Sequence, residues 1–284
     1  MPLAKPAPPV ANGTLYYRHR LPVRVMHWVN VVALTILLMS GLNIFDAHPA
    51  LYWGKSSYTG QGPILAIGAN MTLETGIHGI TRVFGRDFDT TGVLGASKDR
   101  DGELTNRAFP WWLTIPDNRW LSMARSWHFF FAWILVLNGL AYLAWSIGSR
   151  HLTRDLAPDS GELRTIPQSI RDHLLFRHPK GEAAKRYNVL QKIAYLAVIF
   201  VLVPLVILMG LGMSPWADTI VPGWVGLFGG RQSARTLHFI AAWLIVAFVL
   251  VHVFEVVVAG FWNHVRSMIT GRYRVPQEAS HEKR

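Results

Sequence analysis

Four stretches of this chain are long, apolar and nearly free of charge: Val25 to Phe45, Ser126 to Ser149, Ile193 to Ala217, and Thr236 to Trp262, where Glu255 is the one formal charge. A helix rising about 1.5 Å per residue crosses roughly 30 Å of hydrocarbon in about 20 residues. Each stretch is that long, so the chain is expected to be a four-span, all-α membrane bundle. The composition agrees, with 51% apolar and only 16% charged residues among 284. The first window is too long for a signal peptide and runs on into "SGLNIFDAHPALYW" without a small-x-small cleavage site.

Cations beside the spans set the expected orientation. Lys5, Arg18, Arg20 and Arg24 have no acid among them, residues 150–186 hold eight bases against five acids, and the tail from Asn263 holds five against two. Residues 46–125 balance eight bases with eight acids. The positive-inside rule then puts both termini and the 150–186 loop in the cytoplasm. The net charge of +11 reflects this bias, and no basic stripe interleaved with aromatics points to nucleic acid. With no cysteine, disulfides, thiolate-held clusters and covalent c-type haem are excluded.

The expected layout is a flexible cytoplasmic arm over 1–20 and one domain over 21–284. Its spans are placed near 23–45, 124–149, 189–213 and 234–264, with an outer insertion at 46–123 and an inner loop at 150–188. The insertion is longer than a connection needs, and its aromatic residues predict folded structure. In the inner loop, Pro167 to Phe176 reads as an amphipathic helix at the interface.

Four of the twelve histidines, His27, His128, His238 and His252, fall inside spans. Ionisable residues are costly there and mark functional sites by default. His238 and His252 are 14 residues apart, so they share a face within roughly 40° and lie about 21 Å apart along one helix. Alternating span direction pairs His128 with His238 toward the outside and His27 with His252 toward the inside. The second pairing requires that the first helix begin before Arg24 or the fourth run past Trp262; the helical spacing of "FWNHVRSM" favours the latter. Facing imidazoles suit the two axial positions of haem iron, whereas zinc would require three or four converging ligands.

Arg24, Arg125 and Arg235 each precede a histidine by three residues. They are placed to grip haem propionates, or to snorkel to the interface. Gly41, Gly139 and Gly210 make room for a porphyrin or for close helix packing.

The segments "RVMHW", "RSWHFFFAW", "KRYNVLQK" and "RTLHFIAAWLIVAFVLVHV" resemble the dihaem cytochrome b subunits of the nickel-iron hydrogenase and formate dehydrogenase gamma type. The long insertion with "DFDTTGVLG" is more similar to members paired with periplasmic molybdopterin oxidoreductases. The resemblance implies a multi-pass protein of the bacterial cytoplasmic membrane that carries electrons through two haem b groups, between a periplasmic redox enzyme and membrane quinone. It places Tyr187, Asn188, Gln191 and Lys192 near the quinone. Glu255 is then either a proton acceptor or the structural partner of Arg266 or Lys192. The alternatives are a self-sufficient cytochrome b that oxidises a small one-electron substrate such as superoxide, and a proton-coupled transporter with histidine relays. The transporter predicts broken spans and midplane acids.

Overall fold

The computed structural model describes residues 15–57, 60–72, 74, 76–175 and 187–275. In chain order it runs β1 (Leu15–Tyr17), α1 (Leu21–Asp46), β2 (Ala50–Leu51), β3 (Leu65–Thr72), β4 (Gly76–Val83), β5 (Arg86–Asp89), β6 (Gly95–Lys98), β7 (Leu104–Arg107) and α2 (Leu121–Gly148). Then follow α3 (Ser160–Arg164), α4 (Ile166–Leu174), α5 (Val189–Ala197), α6 (Val203–Gly212), α7 (Pro215–Ile220), α8 (Arg231–Val258), α9 (Phe261–Thr270) and β8 (Arg272–Arg274).

The chain is mostly helical. Four helices are long and apolar enough to span a membrane: α1, α2, the continuous run from Val189 to Gly212, and α8. Hydrocarbon offers no partner for backbone N–H and C=O groups, so apolar segments of this length satisfy them internally as helix. No more than 28% of any apolar window is buried within the protein, which leaves most of the spans' surface for lipid. The third span passes through a π turn at Val198–Leu202. Pro204 just beyond it has no N–H to donate back to the preceding turn, and the wider turn absorbs that missing bond.

The fourth span ends earlier than the sequence predicts. α8 stops at Val258, and Gly260, in the left-handed region at φ 110, redirects the chain into the separate helix α9. Helical spacing continues through "FWNHVRSM" because α9 is itself a helix, and periodicity cannot register one residue leaving the helical basin. The expected flexible arm also needs correction. Residues 1–14 lie outside the described residues, but Leu15–Tyr17 forms β1 and pairs antiparallel with β8 at the other end of the chain. Leu15–Tyr17 and Arg272–Arg274 therefore lie side by side, as an even number of spans allows.

The described chain divides into two compact units. One gathers residues 27–141 and 198–248, the other 1–26, 142–197 and 249–284.

In the first unit, the segment between α1 and α2 is folded, as its aromatic content predicts. β2, β3, β4 and β5 form an antiparallel meander, and β6 and β7 form a hairpin against it. Gly95 permits that contact: it sits at φ 77, and a Cβ there would strike the Gly68 carbonyl. Leu42 and Phe45 at the end of α1 join Leu51, Ile67, Ala108 and Phe109 in one buried apolar cluster. Asp46, the last residue of α1, accepts the backbone N–H groups of Ala108 and Phe109 at 2.7 and 3.3 Å, with Arg107 3.8 Å away. Burial pulls the Arg107 guanidinium below its usual pKa, and the Asp46 charge opposes that shift.

In the second unit, α4 occupies the expected amphipathic stretch, with Pro167 in its first turn; Phe176, its expected end, lies outside the described residues. Arg18 lies over the rings of Tyr187 and Tyr273, at 5.6 and 4.8 Å. Burial pushes the Tyr187 phenol up.

Candidate haem-binding site

The two copies of the R-x-x-H element occupy identical positions in their helices. His128 is seven residues from the start of α2 (128 − 121), and His238 is seven from the start of α8 (238 − 231). Both helices cross in the same direction, so the two imidazoles lie at one depth. They face each other with ring centroids 6.2 Å apart at 62°. Two imidazoles sharing one metal, at about 2 Å per bond and a ring radius of about 1 Å each, have centroids about 6 Å apart. The observed centroid separation is of the size that two imidazoles holding one iron would show. Among the described residues no group of three or more His, Asp or Glu converges as a metal site, so the pair has the ligand number of a haem and not of zinc.

The outward nitrogens are already committed. His238 Nδ1 lies 2.8 Å from the Val206 carbonyl, which can only accept, so Nδ1 carries the proton. His128 Nδ1 lies 3.1 Å from Ser40 Oγ, and Ser40 donates its own proton to the Ile36 carbonyl at 2.6 Å. That leaves the hydroxyl lone pairs for His128, whose Nδ1 is again the donor. Each ring thus keeps Nε2 as a lone pair, the form that ligates a metal.

Glycine lets both rings approach their neighbours. A Cβ on Gly41 would stand 3.3 Å from His128 Cε1, and one on Gly210 would stand 3.4 Å from His238 Cε1. These two glycines make room for the ligand rings themselves. Gly139 has nothing within 4 Å of such a Cβ, so the structure assigns it no packing role.

His27 lies six residues from the start of α1 (27 − 21), and His252 six from the end of α8 (258 − 252). Each of the two thus stands about two turns inside the end of its own helix. Of the two conditions for their pairing, α1 does begin before Arg24, at Leu21, whereas α8 ends at Val258 and does not run past Trp262. His27 stands edge-on to Trp28 at 5.4 Å. His252 belongs to the other unit.

The arginines differ. Arg235 donates to the carbonyls of His48 and Ala50 and lies over Phe45 at 5.6 Å, so it latches the β segment to α8. Burial, followed by the Arg235 charge, lowers the pKa of His48. Arg125 lies over Phe129 at 5.7 Å on an exposed face. Arg24 packs over Gly271, where its Nη1 would stand 2.6 Å from a Cβ.

Of the residues expected near quinone, Asn188 and Gln191 act on their own backbone. Asn188 Oδ1 accepts from Leu190 N at 3.0 Å, and Gln191 Oε1 accepts from Asn188 N at 3.2 Å. This reciprocal pair caps the third span. Lys192 is buried and bonds both Glu162 oxygens at 2.8 Å. Glu255 pairs with neither expected cation: its partner is His173 on α4, Nε2 to Oε1 at 3.0 Å, while Arg266 donates to Asn263.

Three further contributors escaped the sequence reading. Ser40 could have been found as the polar neighbour of Gly41, but His173 and the Val206 carbonyl leave no pattern in the chain. The Asn138 to Asn30 hydrogen bond, 2.8 Å between α1 and α2, is likewise visible only in three dimensions.

Two facing histidines on membrane-spanning helices fit a membrane cytochrome of the b type. Residues 18–271 match the prokaryotic cytochrome b561 family, and the chain belongs to it. YedZ1 of Azospira oryzae, named as a protein-methionine-sulfoxide reductase subunit, is 29% identical over 241 residues, which cover 84% of this chain and 89% of that one. A protein of Cupriavidus necator named as a Ni/Fe-hydrogenase B-type cytochrome subunit is 23% identical over 269 residues, 90% of this chain and 85% of that one. Family membership implies haem b and electron transfer in the membrane.

Proposed function

We propose that this chain is the membrane subunit of a quinone-linked oxidoreductase and holds two haem b groups, one between His128 and His238 and one between His27 and His252. It passes electrons between a redox enzyme on the outer face of the bacterial cytoplasmic membrane and quinone on the inner side, with both termini cytoplasmic. The observation that carries this reading is the first pair: His128 and His238 stand at the same position in their helices with ring centroids 6.2 Å apart, and the Nδ1 atom of each has a hydrogen-bond partner. Haem b, when bound, supplies a one-electron carrier. The protein's part is to fix the imidazoles, exclude water with apolar helices and place cations toward the membrane surfaces. Arg125 and Arg24 are the propionate partners in this reading. Arg235 can share that role only with the donors that remain after it has bound two carbonyls.

The relatives supply the partner class. Both carry names of redox-enzyme subunits, and the folded β segment offers a surface on which such an enzyme docks. A molybdopterin oxidoreductase is the partner that the long insertion favours. A pyridine haemochrome assay on the purified chain should return two haem b per chain, reducible by quinol in anaerobic stopped flow. One haem or none would reject the two-haem reading.

At the quinone side, Glu255 is the proton acceptor and His173 its route to solvent. The amide nitrogens of Asn188 and Gln191 are the donors for a quinone carbonyl. Glu255→Gln is therefore expected to slow haem reduction by quinol about 10²-fold without changing haem content. An unchanged rate would remove Glu255 from the proton path.

A further inference from the structure

The two ligands of the His128 and His238 pair are held by unlike acceptors. His238 Nδ1 donates to a backbone carbonyl at 2.8 Å, whereas His128 Nδ1 has a serine hydroxyl at 3.1 Å beside the backbone carbonyl of Leu37. A hydrogen bond at the outward nitrogen makes an imidazole a stronger electron donor to its metal and is one of the levers by which a protein sets a haem potential. The carbonyl is part of the helix and cannot be changed by substitution. The hydroxyl can be, so it is the adjustable element of the pair.

Ser40 is built for this role. Its side chain is fully buried. Its proton goes to the Ile36 carbonyl at 2.6 Å, with the Leu37 carbonyl also near at 3.3 Å, so Oγ faces His128 only as an acceptor. The next residue, Gly41, lets the imidazole lie against α1, its Cε1 3.3 Å from where a Cβ would stand. One dipeptide thus sets both the seat and the electronics of the ring.

We propose that Ser40 is a positioning residue that tunes the potential of the haem held by His128 and His238, through the Nδ1 proton of His128. The inference rests on the haem assignment above. Acceptance by Ser40 increases the imidazolate character of His128, favours ferric over ferrous iron and holds the potential down. Loss of the hydroxyl leaves a buried N–H with one acceptor fewer, and the potential rises.

The test is a spectroelectrochemical redox titration of the full-length protein in lipid nanodiscs, with the wave of this haem identified as the one missing in His128→Ala. Ser40→Ala is expected to move that wave to more positive potential, leave the other in place and shift the low-spin ferric resonance of the same haem. Ser40→Thr, which keeps the hydroxyl, should return the wave toward its original position. Where Ser40→Ala fails to assemble, Ser40→Cys, of similar size and with a weaker acceptor, should give a smaller positive shift. The inference is overturned if Ser40→Ala leaves both waves in place, or if Ser40→Thr shifts like the alanine variant. A wild-type protein without two b-type waves overturns the haem assignment instead, and the two failures are told apart on the same instrument.

Discussion

His238→Ala is expected to halve the haem content of the purified protein, from two haem b per chain to one, while the helices still form. The substitution removes one of two facing imidazoles and leaves His128 without an opposite ligand. Nothing replaces it, because no third His, Asp or Glu joins a metal-ligating group among the described residues. The helix itself does not depend on the imidazole, whose hydrogen bond to Val206 contributes on the order of 1 kcal/mol. His252→Ala should likewise remove one haem, and the double variant both, although both histidines lie on one helix. Retention of two haems by His238→Ala, read from the pyridine haemochrome, would refute the pairing of His128 with His238. Alanine at Arg235 should act differently. Its two backbone carbonyl partners would lose their donor, so the β segment would loosen over α8 before any haem is lost.

Asp46→Ala is expected to cause the largest loss of stability among single substitutions outside the spans' apolar faces. The carboxylate is nearly inaccessible, as is the Arg107 side chain facing it, and it also accepts two backbone N–H groups. Its removal leaves a buried guanidinium without its principal counter-charge, with only the weaker influence of Asp117 and Asp99 remaining, at a cost approaching the ~3–5 kcal/mol of a broken buried pair. Arg107 keeps its bonds to the Asp117 carbonyl and Thr114 Oγ1 at 2.7 and 2.9 Å, but neither neutralises it. Limited proteolysis should then cut the β segment between residues 50 and 107 well before the spans are lost. Asp46→Ala combined with Arg107→Met should recover part of the stability, since removing both partners avoids the uncompensated charge. Equal protease resistance of the single variant and the wild type would show that the apolar cluster of Leu42, Phe45 and Phe109 anchors the segment alone.

The helical part was open to reading in advance because lipid simplifies the code. A span must be long, apolar and internally hydrogen-bonded, and all three properties are local to the chain. The histidines stand out for the same reason, since an imidazole in hydrocarbon has few roles, and their spacing along a helix of known rise fixes depth. Features that join distant residues were hidden. β1 pairs with β8 across the whole chain, and the end of α8 is set by one glycine's dihedral angle. The Asn188 and Gln191 pair shows a different difficulty: the same two amides that suit a quinone carbonyl also form a helix cap, and composition cannot divide a side chain between two roles.

Amino-acid order alone determined that four stretches are long and apolar enough to span a membrane, that four histidines fall within them, and that two of these belong to copies of one R-x-x-H element. Hydropathy and helical periodicity act over a few turns, and the sequence carries them directly. Tertiary structure decided which nitrogen of His128 and His238 points at the gap, that Ser40 and the Val206 carbonyl hold the other, that Arg235 is tied to the β segment, and that Glu255 answers to His173. Each of these is a contact between groups 30 to 190 residues apart. Hydrogen bonds depend on angles and tenths of an ångström, which exist only once the helices have packed.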